Sequence, residues 1–359
     1  MQLLEHDAKE LAARFGIPVP SGGLAGEAAL PPGPWIVKAQ VPVGGRGKAG
    51  AIRLAATPDA VAAEVAALLG GEVRGHLIHS VRVEQAMPPG TPEAYIALML
   101  DPAAGGIRVL AAEGGGVEVE TSDRIRAATS ELASANDALA RATEGLPPAL
   151  RDAASHLLRM FLALEATLLE VNPLFLLPDG GWVAGDMKLV TDDNALFRQP
   201  VLTELLERRS AAYPEVARKL RHGFDYIVLD PEGDIGLLTT GAGLSMMLVD
   251  ELRAAGHRPH NFLDIRTGGM RGDPARLVQV LRWLHEGPNI RVVLVNIFAG
   301  ITDLGEFAML LLRAREAVPE LDVPFVVRLA GTHREAACRI LGEAGIPVVD
   351  EIAEAVALL

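Results

Sequence analysis

The run Gly44-Gly45-Arg46-Gly47-Lys48-Ala49-Gly50 places four glycines and two cations within seven residues. Glycines let a backbone approach a phosphate closely, and its N–H groups together with the cations can cradle the charge. Gly45, Gly47 and Gly50 also satisfy G-x-G-x-x-G, but a dinucleotide fold requires a helix directly afterwards. Here Ala51-Ile52-Arg53-Leu54-Ala55 reads as a strand, and Lys48 is followed by Ala49 rather than the hydroxyl residue of a P-loop. A glycine loop between two antiparallel strands is the arrangement of a flexible lid over phosphates. Lys38, on the strand before it, can then meet a phosphate as a point charge. A glycine hairpin with a purely structural role uses the same residues, and both readings stand at this point.

A second constellation pairs Glu170-Val171-Asn172-Pro173 with Asp186-Met187-Lys188. Alternation along a strand puts Glu170 and Asn172 on one face, and likewise Asp186 and Lys188. If the intervening loop has an odd residue count, Asn172 faces Asp186 and Glu170 faces Lys188. A two-residue turn would shift that register and separate the faces. Under the odd register two oxygen donors meet, which suits Mg²⁺ held by few protein groups plus ligand phosphates. A surface hairpin with a cross-strand ion pair is the alternative. The His257-Arg-Pro-His260 pair reads as a surface loop, Cys338 as a core residue, and no G-x-S-x-G, C-x-x-C or H-E-x-x-H occurs.

The elements that must carry these residues fall into two patterns. Residues 3–14 read as an amphipathic helix, 35–40 and 51–54 as strands around the glycine loop, and 58–69 as an alanine-rich helix. Strands follow at 80–86, 94–100 and 107–112, then a helix at about 148–166 and a hairpin over 168–176 and 182–189. From about 225 apolar strands at 235–239, 261–264, 292–297 and 324–329 alternate with helices near 243–255, 274–286, 304–317 and 332–344. That alternation indicates a parallel sheet covered on both faces, with ligands at the carboxyl ends of its strands. Glycine turns at 240–243, 266–269, 298–300 and 330–332 sit at that edge.

Composition agrees with a folded, multidomain chain: 359 residues, half of them hydrophobic and 22% charged. A net charge of -13 argues against a nucleic-acid scaffold. One cysteine excludes an internal disulfide, no apolar run reaches the ~18 residues of a membrane span, and the acidic start is unlike a signal peptide. The expectation is a cytoplasmic protein with no nucleic-acid or membrane partner. Only five of the 33 basic residues are lysine, and Lys38, Lys48 and Lys188 fall inside the motifs above. Where arginine is the default cation, a lysine marks a place that wants a compact ammonium.

Val37-Lys38-Ala39-Gln40 with the glycine loop, Leu169-Glu170-Val171-Asn172-Pro173-Leu174 and Asp193-Asn194-Ala195-Leu196-Phe197-Arg198 resemble the ATP-grasp domain of the beta subunits of succinyl-CoA synthetases and malate–CoA ligases. Thr240-Gly241-Ala242-Gly243-Leu244, Asn261-Phe262-Leu263-Asp264 and Val295-Asn296-Ile297-Phe298-Ala299-Gly300-Ile301 extend the resemblance through the second half. It implies an α/β fold: an ATP-grasp nucleotide-binding domain over 1–200, a linker over 201–224, and a flavodoxin-like parallel-sheet CoA-ligase domain over 225–359. It implies an ADP-forming ligase of succinate, malate or a related dicarboxylate, using Mg²⁺ and ATP or GTP, with CoA as co-substrate.

The resemblance gives roles residue by residue. Lys38, Gly45, Arg46 and Gly47 match nucleotide-phosphate contacts, and Glu84 and Glu93 the hinge and ribose side. Asn172 and Asp186 match the metal ligands, and Thr240, Gly300, Ile301 and Thr302 the carboxylate-substrate contacts. Gly268, Gly269 and Asp273 match the loop before the helix that receives a phosphohistidine. No histidine here occupies the phosphorylated motif, so the resemblance implies an alpha-type partner that carries that histidine and most of the CoA site. The loop from Leu263 to Asp273 is longer than the family's compact glycine triplet, and Thr240 and Thr302-Asp303 replace other polar residues. A nucleotide-binding paralogue with a regulatory or scaffolding role is therefore the alternative expectation.

Overall fold

A computed structural model describes residues 1–116, 124–267, 270, 272–300 and 302–359. Gly268, Gly269 and Ile301, named above, lie outside the described residues, as does Arg271. Two compact units divide the chain, Met1–Leu205 and Leu206–Leu359. No helix among the described residues is long and apolar enough to cross a membrane.

The first unit opens with helix α1 (Glu5–Arg14), then strands β1 (Gly22–Leu24), β2 (Trp35–Ala39) and β3 (Ile52–Ala55). Helix α2 (Pro58–Leu68), a small ribbon of β4 (Glu72–Val73) and β5 (His76–Leu77), and β6 (Val81–Gln85) follow. A four-stranded sheet of order β1-β6-β2-β3 results, every pair antiparallel. Residues 40–51 therefore connect adjacent antiparallel strands, which fits a phosphate lid and not a dinucleotide turn. Val37, Ala39, Val81 and Val83 pack with Val61 and Leu68 of α2 in one core. The Thr57 side chain accepts the Ala60 N–H and Pro58 supplies the first turn, so α2 starts where its residue types say it should.

Strands β7 (Glu93–Asp101), β8 (Gly106–Glu113) and β9 (Arg126–Glu131), helices α3 (Ala135–Ala142) and α4 (Pro148–Ala163), and strands β10 (Ala166–Leu176), β11 (Trp182–Ala184) and β12 (Met187–Thr191) complete the unit. They form a six-stranded antiparallel sheet of order β11-β10-β7-β8-β9, with β12 also pairing β10. Leu150, Ala153, Ala154, Leu157, Leu158 and Phe161 of α4 are all buried, the i, i+3, i+4, i+7 stripe of a helix packed on a sheet. Leu176 pairs with Trp182, which leaves a five-residue loop of odd count. Glu170 accordingly faces Lys188, and the Asn172 N–H donates to the Asp186 carbonyl at 3.1 Å.

Residues 200–222 are largely helical: α5 (Pro200–Arg208), a 3₁₀ turn at Ser210–Ala212, and α6 (Pro214–His222), closed by Gly223 at φ +76°. The second unit continues with β13 (Asp225–Val228), β14 (Ile235–Thr239), α7 (Ala242–Ala254), β15 (Asn261–Asp264), α8 (Ala275–His285), β16 (Val292–Ala299), α9 (Leu304–Glu316), β17 (Phe325–Gly331), α10 (Arg334–Glu343), β18 (Val348–Val349) and α11 (Ile352–Ala357). Its parallel sheet has the order β14-β16-β17-β18. Val293, Val295 and Ile297 of β16 face one core while Val292 and Leu294 face another, so both sides are covered.

Three expectations are corrected here. Strand 261–264 pairs antiparallel with β13 and is not laddered into the parallel sheet. Its Asn261 amide imitates a strand peptide instead, accepting the Leu237 N–H at 2.8 Å and donating to the Leu237 carbonyl at 3.0 Å. His260 is buried, 4% exposed, because its backbone bonds Ile235, Leu229 and Asp230 at the start of that strand. Cys338 is half-buried and not a core residue.

Candidate functional site

A cavity of about 410 Å³ opens in the first unit between the glycine loop and the β10–β12 hairpin. Its wall carries the cations Arg46, Lys48, Arg74 and Lys188 against the carboxylates Glu5, Glu170 and Asp186. A chain of net charge -13 thus gathers a local excess of positive charge around one concave site, which favours an anionic ligand. Gly44, Gly45 and Gly47 line the same cavity and are exposed. Gly45 sits at φ +74°, a backbone conformation that favours glycine, while a Cβ there would meet only the movable end of the exposed Arg74 side chain. Arg46 is the one buried residue of the loop, 7% exposed.

Beneath the loop lies a buried network of charges. The Lys38 ammonium donates to Glu5 Oε1 at 2.8 Å and to the Gly185 carbonyl at 2.9 Å, and lies 2.6 Å from Glu84 Oε1. Lys9 donates to both Glu84 oxygens, at 2.9 and 2.8 Å, and to the same Gly185 carbonyl at 2.7 Å. It also lies 2.7 Å from Glu5 Oε1. Arg82 donates to Glu84 Oε2 at 2.7 Å. Arg46 donates through one nitrogen to Glu5 Oε2 at 2.6 Å and to the two Asp186 oxygens at 2.8 and 2.9 Å. Gly185 cannot be larger, since a Cβ would sit 2.3 Å from the Phe175 ring and 2.8 Å from the Pro173 carbonyl.

Ion pairs this deep survive only when each charge is met. Burial alone would push the Glu5 carboxyl up, yet Lys38, Lys9 and Arg46 outweigh it and hold the group well below the ordinary carboxylate range. Glu84 is displaced the same way, burial being outweighed by Lys38 and Lys9. Burial opposes the Lys38 and Arg46 charges as well, and their carboxylate neighbours raise both above their usual values. Lys9 moves down, because burial and Lys38 act against its charge. A carboxylate depressed in the folded state stabilises it above the unfolded pKa and loses that contribution as pH falls through the folded one. Stability carried by Glu5 and Glu84 is therefore complete above about pH 4.5 and is lost in more acid solution. A denaturant midpoint followed downward in pH should drop steeply below about 4.5, beyond the milder decline that the depressed His222 and His260 bring below about pH 6.5; no additional drop below about 4.5 would show that the two carboxylates are not depressed.

The structure groups some expected residues and separates others. Gly45, Arg46, Gly47, Asn172 and Asp186 line the cavity together. Lys38 and Glu84 do not line it; they connect to it through Glu5, and the Glu84 carboxylate is met by Lys9, Lys38 and Arg82. Glu93 is an exposed residue at the start of β7, beside Gly116. Asn172 Oδ1 accepts the Gly116 N–H at 2.6 Å, and its Nδ2 donates to the Gly116 carbonyl at 3.1 Å. A carbonyl oxygen has a second lone pair, so Asn172 can still coordinate beside Asp186. With oxygen donors alone, the pair fits a hard cation such as Mg²⁺. The His6, Asp7 and Glu10 groups also approach within 4.8 Å of one another, but the Arg82 guanidinium lies 2.9 Å from His6 Nδ1, a cation where a metal would sit.

In the second unit the carboxyl ends of the parallel strands form one edge. Thr240 is half-buried there, and the next N–H, from Gly241, donates to Asp264 Oδ1 at 2.8 Å. Gly300 is exposed, and the Thr302 hydroxyl donates to the Thr267 hydroxyl at 3.0 Å. Gly331 allows β16 and β17 to end in close contact, since a Cβ would fall 1.9 Å from the Ala299 carbonyl oxygen. Helix α8 begins at Ala275 with Pro274 as its cap residue, one position later than the sequence suggests; Asp273 Oδ1 still accepts the Ala275 N–H at 2.9 Å. Arg266, at φ +52°, lies 3.4 Å from Asp225 of its own unit.

Sequence reasoning missed Glu5, Lys9, Arg82 and Arg74. The scarcity of lysine was a usable signal for Lys9, which is 1% exposed.

Comparison with known proteins matches residues 2–176 to an ATP-grasp domain and residues 238–359 to a CoA-ligase domain. The beta subunit of an ADP-forming succinate–CoA ligase from Chloroflexus aurantiacus is 38% identical, across 99% of this chain and 97% of that one. A probable malate–CoA ligase beta subunit from Mesorhizobium japonicum is 35% identical across 99% of this chain and 96% of that one. Among solved structures, ATP citrate lyase from Methanothrix soehngenii, in complex with citrate and coenzyme A, superposes with a TM-score of 0.73. That likeness covers 98% of this chain and 95% of the other at 19% identity, and speaks for the fold. The chain belongs to the ATP-grasp acid–CoA ligases, in the succinate–CoA ligase beta-subunit family.

Proposed function

We propose that this chain is the nucleotide-binding beta subunit of an ADP-forming ligase for succinate, malate or a related dicarboxylate. In this reading phosphate passes between ATP and a histidine of an alpha-type partner, then to the carboxylate as an acyl phosphate, which CoA thiolate attacks. A carboxylate is a poor electrophile, and the acyl phosphate gives it a leaving group. The observation that carries the reading is the cavity itself: a glycine loop, four cations and a two-oxygen metal position converge on one concave site.

Residues of the chain divide the work. Backbone N–H groups at Gly45 and Gly47 and the Arg46 guanidinium bind phosphate oxygens, while Lys38 supports Arg46 through Glu5. Asn172 and Asp186 hold Mg²⁺, which when bound neutralises charge on the transferring phosphoryl group. Thr240, Gly300, Ile301 and Thr302 form the carboxylate side, and Gly268, Gly269 and Asp273 the approach of the phosphohistidine. Glu84 serves as a buried counter-ion, and Glu93 is the candidate for the ribose side. CoA is held mainly by the partner.

The test is Mg-ATP labelled at the γ-phosphate, given to the complex of this chain with its co-purified partner. Acid-labile, base-stable label on the partner is the expected result, and succinate or malate with CoA should discharge it. A confirmed complex that binds ATP tightly yet takes no label would overturn the catalytic reading in favour of a regulatory paralogue.

A further inference from the structure

Arg46, one of the two cations of the glycine loop, does not reach into open space. One of its nitrogens is ringed by three carboxylate oxygens: Glu5 Oε2 at 2.6 Å and both Asp186 oxygens at 2.8 and 2.9 Å. Its other terminal nitrogen is tied to the Ala39 carbonyl at 3.0 Å. Several hard oxygens converging on one point are what a divalent cation requires, and here a guanidinium fills that point. Glu5 cannot follow Arg46 if the arginine moves. Its other oxygen is pinned by Lys38 at 2.8 Å and Lys9 at 2.7 Å, and the residue is 4% exposed.

We propose that Glu5 is a positioning residue that draws Arg46 across Asp186, so that the arginine stands in for the divalent cation and the ion enters only once phosphates take Arg46 away. This rests on the reading of the cavity as a nucleotide site. An ion arriving alone must displace a charge-assisted contact and leave Arg46 half-paired in a buried place, at a cost that its own contact with Asp186 does not offset. With phosphates present, Arg46 exchanges Asp186 for phosphate oxygens and both cations end with partners. The exchange moves no protons and forms no bonds. It sets an order: the loop arginine must be claimed by the nucleotide before Asp186 is free.

The experiment uses Mn²⁺ alone as the probe, its free-ion electron paramagnetic resonance signal falling on binding, with the full chain and no nucleotide. Wild-type protein should bind Mn²⁺ weakly. Arg46→Met should create a site at least tenfold tighter, and adding Asp186→Asn to that variant should remove it. Glu5→Gln should tighten Mn²⁺ binding severalfold although it deletes a carboxylate charge; weaker binding would make Glu5 a simple ligand and overturn its positioning role. Should Arg46→Met fail to fold, the wild-type titration still decides: Mn²⁺ that binds alone at micromolar concentration, and is lost in Asp186→Asn, refutes the inference. Calorimetry with ADP on the same wild-type sample separates the two levels. No ADP binding would sink the nucleotide-site reading, whereas ADP binding with equal Mn²⁺ affinity in wild type and Arg46→Met would sink this inference alone.

Discussion

Asp186→Ala abolishes Mg²⁺-dependent phosphoryl transfer while leaving the protein folded. The side chain is 27% exposed, so its removal creates no buried cavity. Its partner Arg46 keeps Glu5 at 2.6 Å and the Ala39 carbonyl at 3.0 Å, so it is left half-paired and not bare. Folding stability should then fall by about 1.5–3 kcal/mol, the loss of a charge-assisted hydrogen bond, which a domain of this size survives. Catalysis is different, because a transferring phosphoryl group depends almost wholly on positioning and charge neutralisation. Removing one preorganised electrostatic contact typically costs about 10²–10³ in kcat, and a contact that also holds the metal belongs at or beyond the upper end. Transfer of γ-label measured beside a thermal melt checks both halves. A variant retaining more than a tenth of wild-type transfer would remove Asp186 from the metal position.

Lys38→Met has the opposite signature, a large loss of stability. The methionine fills similar volume but removes the charge that meets Glu5 at 2.8 Å and Glu84 at 2.6 Å, all three being buried. Breaking a buried ion pair by deleting one partner costs about 3–5 kcal/mol, because the remaining charges lose their compensation. Lys9 stays bonded to both carboxylates, which argues for the lower half of that range. Adding Glu84→Gln should deepen the loss, because Lys9 and Arg82 then lose the carboxylate they share. Denaturant melts of the single and double variants provide the check. A single-variant cost under 1 kcal/mol would mean that Lys38 is dispensable to the network and acts only on the ligand.

The two motifs that line the cavity were legible because both announce themselves locally. A glycine loop between two short strands has few conformations open to it, and an odd loop at 177–181 fixes which face of the hairpin carries Asn172 and Asp186. Alternating strands and helices after residue 225 likewise specified the parallel sheet. What stayed hidden was carried by contacts distant in sequence. Glu5 and Lys9 sit four apart on α1, and nothing in that spacing points to their partners Lys38, Arg46 and Glu84. Hydropathy assigns such residues to the surface, and only the tertiary fold shows charges burying one another. The same limit applied to Asn261, whose amide supplies hydrogen bonds that a sequence pattern assigns to backbone.

The glycine loop is also less free than its composition suggests. Ala49 N–H bonds the Gly45 carbonyl at 3.2 Å, Gly50 N–H the Gly47 carbonyl at 3.1 Å, and Ala51 N–H the Arg46 carbonyl at 2.9 Å. Ordering a residue's backbone costs about 1–2 kcal/mol, so a slack seven-residue lid would consume much of a nucleotide's affinity as it closed. A loop already folded upon itself and held by Arg46 is instead a preformed tile: its entropy was surrendered when the protein folded, and a ligand that meets it need not supply that cost again.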